Sequence, residues 1–368
     1  MKNLVFLLIL FGANCVIAQS RLPVIKATST KASIRDGAFF DKDGWTLNPK
    51  LKLDVYTADR TRETKYITFY TDIDSIKVKL KPGAHFDFVV VLNSRDSFYT
   101  RIESAIKENL TARLSSKPDT IPFWLTPDKA IAVKALINQA DTVSMHFDLS
   151  AFGFRLTKDA IQTKLHSSKI NEIATLQIGP RIWQKPDVRS TELTAKQMDG
   201  RIGWDVFEGQ IVEINYERNL LVVHQTLPGN LNGYRKSKLN FVRSFPCLNG
   251  SLVVDGKSYT GDFMLDIGSP ANVIVDSIWA ATNHLPTNLK VLSTTVLHDP
   301  RGVKYETRNV EIPVVRLNGL TSTNVTALML GNQHPTGFPI NLLGNGLLKD
   351  FDMIVDFQKD EIYLRKRA

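Results

Sequence analysis

RIGWDVFEGQIVEINYERNLLVV, residues 201–223, lies without a gap over LLGNGLLKDFDMIVDFQKDEIYL, residues 342–364. Gly203 meets Gly344, Phe207 meets Leu348, Ile214 meets Val355 and Leu221 meets Ile362, at a constant offset of 141 residues. Each copy reads as an apolar residue and a Gly, one short helical turn, then a hairpin with Glu217-Arg218-Asn219 or Gln358-Lys359-Asp360 at its tip. A fixed internal period signals a duplicated architecture. A second match lies upstream, where VKALINQADTVSMHFDLSA, residues 133–151, aligns with SLVVDGKSYTGDFMLDIGS, residues 251–269, at an offset of 118. Both of these copies predict two strands joined by a tight turn and ending in a loop that carries Asp148 or Asp266. The offsets differ by 23, so the second copy holds that many extra residues between its Asp loop and its Gly strand.

Apolar strand, Asp loop and Gly strand, in that order and twice over, resemble the pepsin and retropepsin superfamily of aspartic proteases across about residues 119–368. The second loop is carried by FMLDIGSP, residues 263–270, and the first by MHFDLSA, residues 145–151. The resemblance implies a mainly β fold class, with two pseudo-symmetric pepsin/retropepsin-like β-barrel lobes at residues 119–228 and 229–368. It also implies that Asp148 and Asp266 form a catalytic pair that hydrolyses peptide bonds with an activated water. Two carboxylates about 3 Å apart cannot both ionise cheaply, so the pair holds one acid and one base. Substrate-side positions follow from the same loops. Gly268 lets the backbone pass close to a carboxylate, the Ser269 hydroxyl can donate to Asp266, and Ser150 stands where the family has Gly.

Two departures bear on activity. Leu149 and Ile267 stand where a Thr or Ser hydroxyl normally locks the two loops together, and they offer apolar packing instead. Between Asp148 and Gly203 the sequence predicts a helix over residues 157–165 and one strand over residues 173–178, with little room for a covering hairpin. The second lobe has that room: residues 291–297 and 303–309 predict a hairpin whose tip carries Arg301 and Gly302. That tip either reaches over a cleft as a substrate contact or is a plain exposed loop.

The chain begins Met1-Lys2-Asn3, followed by an apolar run and small or compact residues at 16–18, the pattern of a secretory signal peptide over residues 1–18. A secreted or periplasmic location is the expectation, with no membrane span. Cys15 falls inside the leader, so Cys247 is left without a disulfide partner and the core must carry the fold. The formal net charge of +9 includes Lys2 of the leader, and basic residues are scattered among acids, which argues against a nucleic-acid partner. Residues 19–118 read as a separate β module with strands at 66–70, 76–80 and 86–92 and turn-forming Asp72 and Asp74. None of the seven histidines stands at metal-ligand spacing with a second His or Cys, and no phosphate loop or nucleophile elbow is present. No cofactor is expected. His146 reads as a satisfied strand residue, and Trp204 and Trp279 as core anchors. The leading expectation is a monomeric, secreted aspartic-type endopeptidase acting on an extended peptide or protein substrate. The alternative is an inactive relative that binds a peptide or an envelope protein in the same cleft. A third reading gives the main activity to residues 19–118, as an adhesion or carbohydrate-binding unit.

Overall fold

Val, Ile, Phe and Tyr alternating with polar residues favour strands buried on one face. In the computed structural model of the chain, strands hold 58% of residues and helices 7%, which makes the protein mainly β. The structure describes residues 22–48, 53–106, 117–192, 194, 197–298, 304–331 and 338–367. The expected leader therefore lies outside the described residues, as do Arg301 and Gly302. The chain divides into two units, one made of Met1–Ala58 with Arg62–Ala105 and the other of Asp59–Thr61 with Ile106–Ala368.

In the first unit one sheet runs Val24–Ala27, His85–Leu92, Asp96–Ser104, Leu53–Ala58, and the other runs Phe39–Thr46, Lys31–Asp36, Lys65–Tyr70, Ser75–Leu80. Ile34, Ile67 and Phe69 of the second sheet share a core with Phe88 and Ile102 of the first. The strands expected at 66–70, 76–80 and 86–92 each begin one residue earlier. Asp72 accepts the Thr28 N–H at 2.9 Å and Asp74 accepts the Lys26 N–H at 3.2 Å, so both acids tie their turn to the first strand.

The second unit contains one arrangement twice. The Asp148 strand (Asp141–Asp148) lies parallel to Gly200–Gly203, which runs antiparallel to Phe154–Thr157, itself parallel to Val188–Thr191. The Asp266 strand (Lys257–Asp266) lies parallel to Asn341–Gly344, which runs antiparallel to Val273–Val275, itself parallel to Leu320–Leu330. In the second copy the long strand Lys304–Leu317 pairs with both Leu320–Leu330 and Phe245–Val254, which closes the sheet into a barrel. The first copy has a shorter hairpin there, Thr175–Ile178 with Arg181–Gln184, whose pairing ends on Ile131–Ile137, so its sheet is a half-barrel. The sequence suggests a single strand at 173–178. The turn Gly179-Pro180, with Gly179 at φ +55°, converts it into this hairpin, and the Gly179 tip packs against Ile121. Helix formation at 157–165 is confined to Lys158–Thr163, capped by the Thr157 side chain.

The repeats join through their hairpins. Ile211–Asn215 pairs antiparallel with Phe351–Asp356, placing Val212 opposite Val355 and Ile214 opposite Met353. Val212 and Met353 are repeat mates, as are Ile214 and Val355, so this register maps onto itself when the copies are exchanged. The two-fold axis of the duplication therefore passes between these strands. On one side Trp204, 2% exposed, stacks on Phe357 with ring centroids 5.1 Å apart. Trp279 is only half-buried, packed on Phe263 and Gly261 at the edge of the core.

Arg60, 6% exposed, sits at this junction. Its guanidinium donates to Glu208 at 2.6 and 2.9 Å and to Asp360 at 2.7 and 3.0 Å, and its carbon lies 3.9 Å from the centroid of the Phe241 ring. Burial opposes the charge, but the two carboxylates outweigh it and hold the Arg60 pKa above its ordinary value. Removing one member of a buried ionic network leaves its partners uncompensated, at a cost of about 3–5 kcal/mol. Arg60→Ala is therefore expected to lower the stability of the second unit by about that amount, read as a shift in the urea unfolding midpoint. An unchanged midpoint would show that the network is energetically idle.

Candidate active site

Each Asp loop needs a Gly strand beneath it because the loop crosses that strand at a distance no side chain tolerates. A Cβ on Gly203 would lie 2.3 Å from Phe152 Cα and 2.4 Å from Ala151 O, and one on Gly344 would lie 2.2 Å from Ala271 O. The backbone closes on itself in the same way in both copies. Trp204 N–H donates to Ala151 O at 3.2 Å and Gly203 N–H to Gly153 O at 2.8 Å, while Asn345 N–H donates to Ser269 O at 2.8 Å and Gly344 N–H to Asn272 O at 3.0 Å. The single-residue slip from the Gly153 to the Asn272 contact is the main break in the correspondence.

These loops bring Asp148 and Asp266 to one hydroxyl. Ser150 Oγ lies 2.8 Å from Asp148 Oδ2 and 3.1 Å from Asp266 Oδ1. The Ser150 N–H donates to Asp148 Oδ1 at 2.9 Å, and the N–H groups of Gly268 and Ser269 serve Asp266 in the same way. Opposite Ser150, in the other copy, is Gly268, where an added Cβ would lie 2.9 Å from Asp148 Oδ2. The third residue of each loop thus faces the acid of the other loop, and Ser150 reaches across where Gly268 lets the chain come close. The Ser269 hydroxyl, expected to donate to Asp266, instead accepts the Ala271 N–H at 3.3 Å. Leu149 and Ile267, 1% and 0% exposed, lie in one core cluster.

A hydroxyl has one proton and two acceptor lone pairs. If Asp148 and Asp266 were both ionised, one of the two Ser150 contacts would set oxygen against oxygen without a proton. With Asp266 protonated, its proton goes to Ser150 Oγ, whose own proton goes to Asp148. Electrostatics favour this assignment: burial first, then the charge of Asp148, push the Asp266 carboxyl up to about 7.

His146 Nε2 lies 4.0 Å from Asp148 Oδ2, outside hydrogen-bond distance. Its Nδ1 is 2.7 Å from Thr194 Oγ1, which donates to Gly200 O at 3.0 Å. With the hydroxyl proton committed to the carbonyl, Nδ1–H is the donor to Thr194. Burial lowers the His146 pKa, against the pull of Asp148 and with the repulsion of Arg201. Sequence reasoning missed Arg155 and Arg201, which stand on the same sheet; their spacing in the chain carries no signal until the strand register is known.

The expected hairpin in the second lobe is formed by Val291–His298 and Lys304–Leu317, with Leu297 opposite Tyr305. Its tip lies outside the described residues.

No protein-family model matches the chain, and no curated protein matches it. Among solved structures it is similar to an aspartic proteinase from Irpex lacteus, at 11% identity and a TM-score of 0.44, covering 68% of this chain and 98% of that one.

A carboxyl whose pKa rises on folding binds more protons in the folded state between its two pKa values, so its contribution to stability falls as pH rises through that window. For Asp266 the window runs from the ordinary 3.8 to about 7. Asp266→Asn removes the effect. Relative to the natural protein, the variant is expected to gain stability on going from pH 4 to pH 8, measured by urea unfolding at both. An identical difference at the two pH values would refute the raised pKa.

Proposed function

We propose that this protein is an exported aspartic-type endopeptidase that binds an extended peptide or protein chain between its two lobes and hydrolyses it with water. The observation that carries this reading is the single hydroxyl shared by Asp148 and Asp266. Asp148, holding two donors from Ser150, is the base that takes a proton from the attacking water. Asp266, protonated up to near neutral pH, is the acid that protonates the carbonyl oxygen of the scissile bond. The two groups exchange roles as the amine leaves, so the pair returns to its starting state. Both acids come from one chain, so the unit acts as a monomer. Residues 1–18 direct export.

A second reading has a specific observation behind it. Ser150 Oγ occupies the space between the two carboxylates, where an attacking water must sit. If the hydroxyl does not yield that position, the cleft binds a peptide or another envelope protein without cleaving it.

Two measurements separate the readings. Cleavage of an unfolded protein is expected to be inhibited by pepstatin and to fall at least about a thousandfold in kcat for Asp148→Asn or Asp266→Asn, within the range that proton-transfer groups supply. The rate is also expected to decline as pH rises through about 7, where Asp266 loses its proton. Undiminished cleavage by Asp266→Asn would reject the endopeptidase. Peptide binding without turnover in the natural protein would establish the second reading.

A further inference from the structure

The first lobe carries a row of basic residues that the acid pair does not use. His146 lies beside Arg201 in parallel register, Arg201 lies opposite Arg155, and Arg155 lies beside Arg189. Their neighbours along the strands, Phe147, Ile202, Phe154 and Leu156, enter the core. By strand alternation the basic side chains therefore leave from the opposite face. Asp148, two residues after His146, stands on that same face.

The members of the row differ in what satisfies them. Arg189 pairs with Asp187 at 2.9 Å, and His146 is held by Thr194. The side chains of Arg155 and Arg201 have no hydrogen bond or ion pair among the described residues, and the Nε of each is buried without an acceptor. A buried donor left without a partner is costly, and like charges placed directly opposite one another across strands repel. Burial, followed by the charge of Arg155, lowers the Arg201 pKa, and only Asp148 acts in the opposite sense. Asp148 is thus the one carboxylate that acts on Arg201, without a hydrogen bond to it, and Arg155 stands opposite Arg201 on the face of the sheet that carries Asp148. A planar carboxylate satisfies guanidinium forks in pairs of parallel hydrogen bonds.

We propose that Arg155 and Arg201 form an anion-recognition subsite that selects an acidic side chain, Asp or Glu, next to the scissile bond on the Asp148 side. This rests on the peptide-cleft reading and names the substrate class it takes. The carboxylate supplies the counter-charge that the fold leaves out, and an isosteric amide does not.

Two fluorescent, otherwise degenerate nonapeptide pools, capped at both ends and fixed at the central position as Glu or Gln, test this by anisotropy on the full chain carrying Asp266→Asn. The Glu pool is expected to bind at least about tenfold more tightly, the discrimination that a charge-assisted pair supplies. Arg201→Gln and Arg155→Gln are each expected to remove most of that preference while binding of the Gln pool is unchanged, and Arg155→Lys is expected to restore part of it. Equal binding of the two pools, or a preference that survives both Gln variants in folded protein, overturns the subsite. Cleavage-site mapping on the natural protein separates the two levels. Cleavage without Asp or Glu at that position defeats the subsite alone, whereas a Glu preference without any cleavage supports the subsite and defeats the endopeptidase.

Discussion

Two carboxyl groups that share one hydroxyl cannot both be charged without leaving an oxygen unpaired, and the surroundings of Asp148 and Asp266 follow from that constraint. Ser150 supplies the hydroxyl, its own N–H steadies Asp148, and the N–H groups of Gly268 and Ser269 steady Asp266. Burial does the rest by making charge on Asp266 costly, so Asp266 keeps its proton up to near pH 7. The Gly203 and Gly344 strands permit it geometrically, since any side chain there would push the Asp loops off their floor.

Leu149 and Ile267 change how the loops are held without undoing the arrangement. A hydroxyl at those positions would tie loop to loop by a hydrogen bond; an apolar side chain ties them by removing area from water. Both residues are fully buried in the shared core, and the polar link between lobes passes to Ser150. The same residue therefore joins the copies and occupies the space between the two carboxylates, so on the proposed reading holding the site together and admitting a water compete at Ser150.

The register between Ile211–Asn215 and Phe351–Asp356 places the acids symmetrically, and Arg60 anchors that junction from Glu208 to Asp360. Symmetry stops at the surroundings of each acid. The second copy closes its barrel with a long hairpin, while the first ends in a half-barrel whose non-core face carries His146, Arg201 and Arg155. Two guanidinium groups therefore stand on the Asp148 side, and the Nε of each is buried without an acceptor among the described residues.

The chain by itself determined the duplication, the β class and the two Asp positions. A repeated order of apolar strand, Asp and Gly is written in local periodicity, and the Gly positions are forced by backbone contact within each copy. The strands at 66–70 and 86–92, the hairpins beyond Gly203 and Gly344 and the burial of Trp204 were legible for the same reason, because each is set by neighbours along the chain. Only the tertiary structure decided that Ser150, a departure from the Gly pattern, bridges the two acids, and that the Ser269 hydroxyl turns away to Ala271. It alone aligned His146, Arg201 and Arg155, which are far apart in sequence and meet through parallel and antiparallel pairing. Register is a property of pairs of strands: hydrogen bonds and side-chain packing across the sheet fix it, and no single strand encodes its partner.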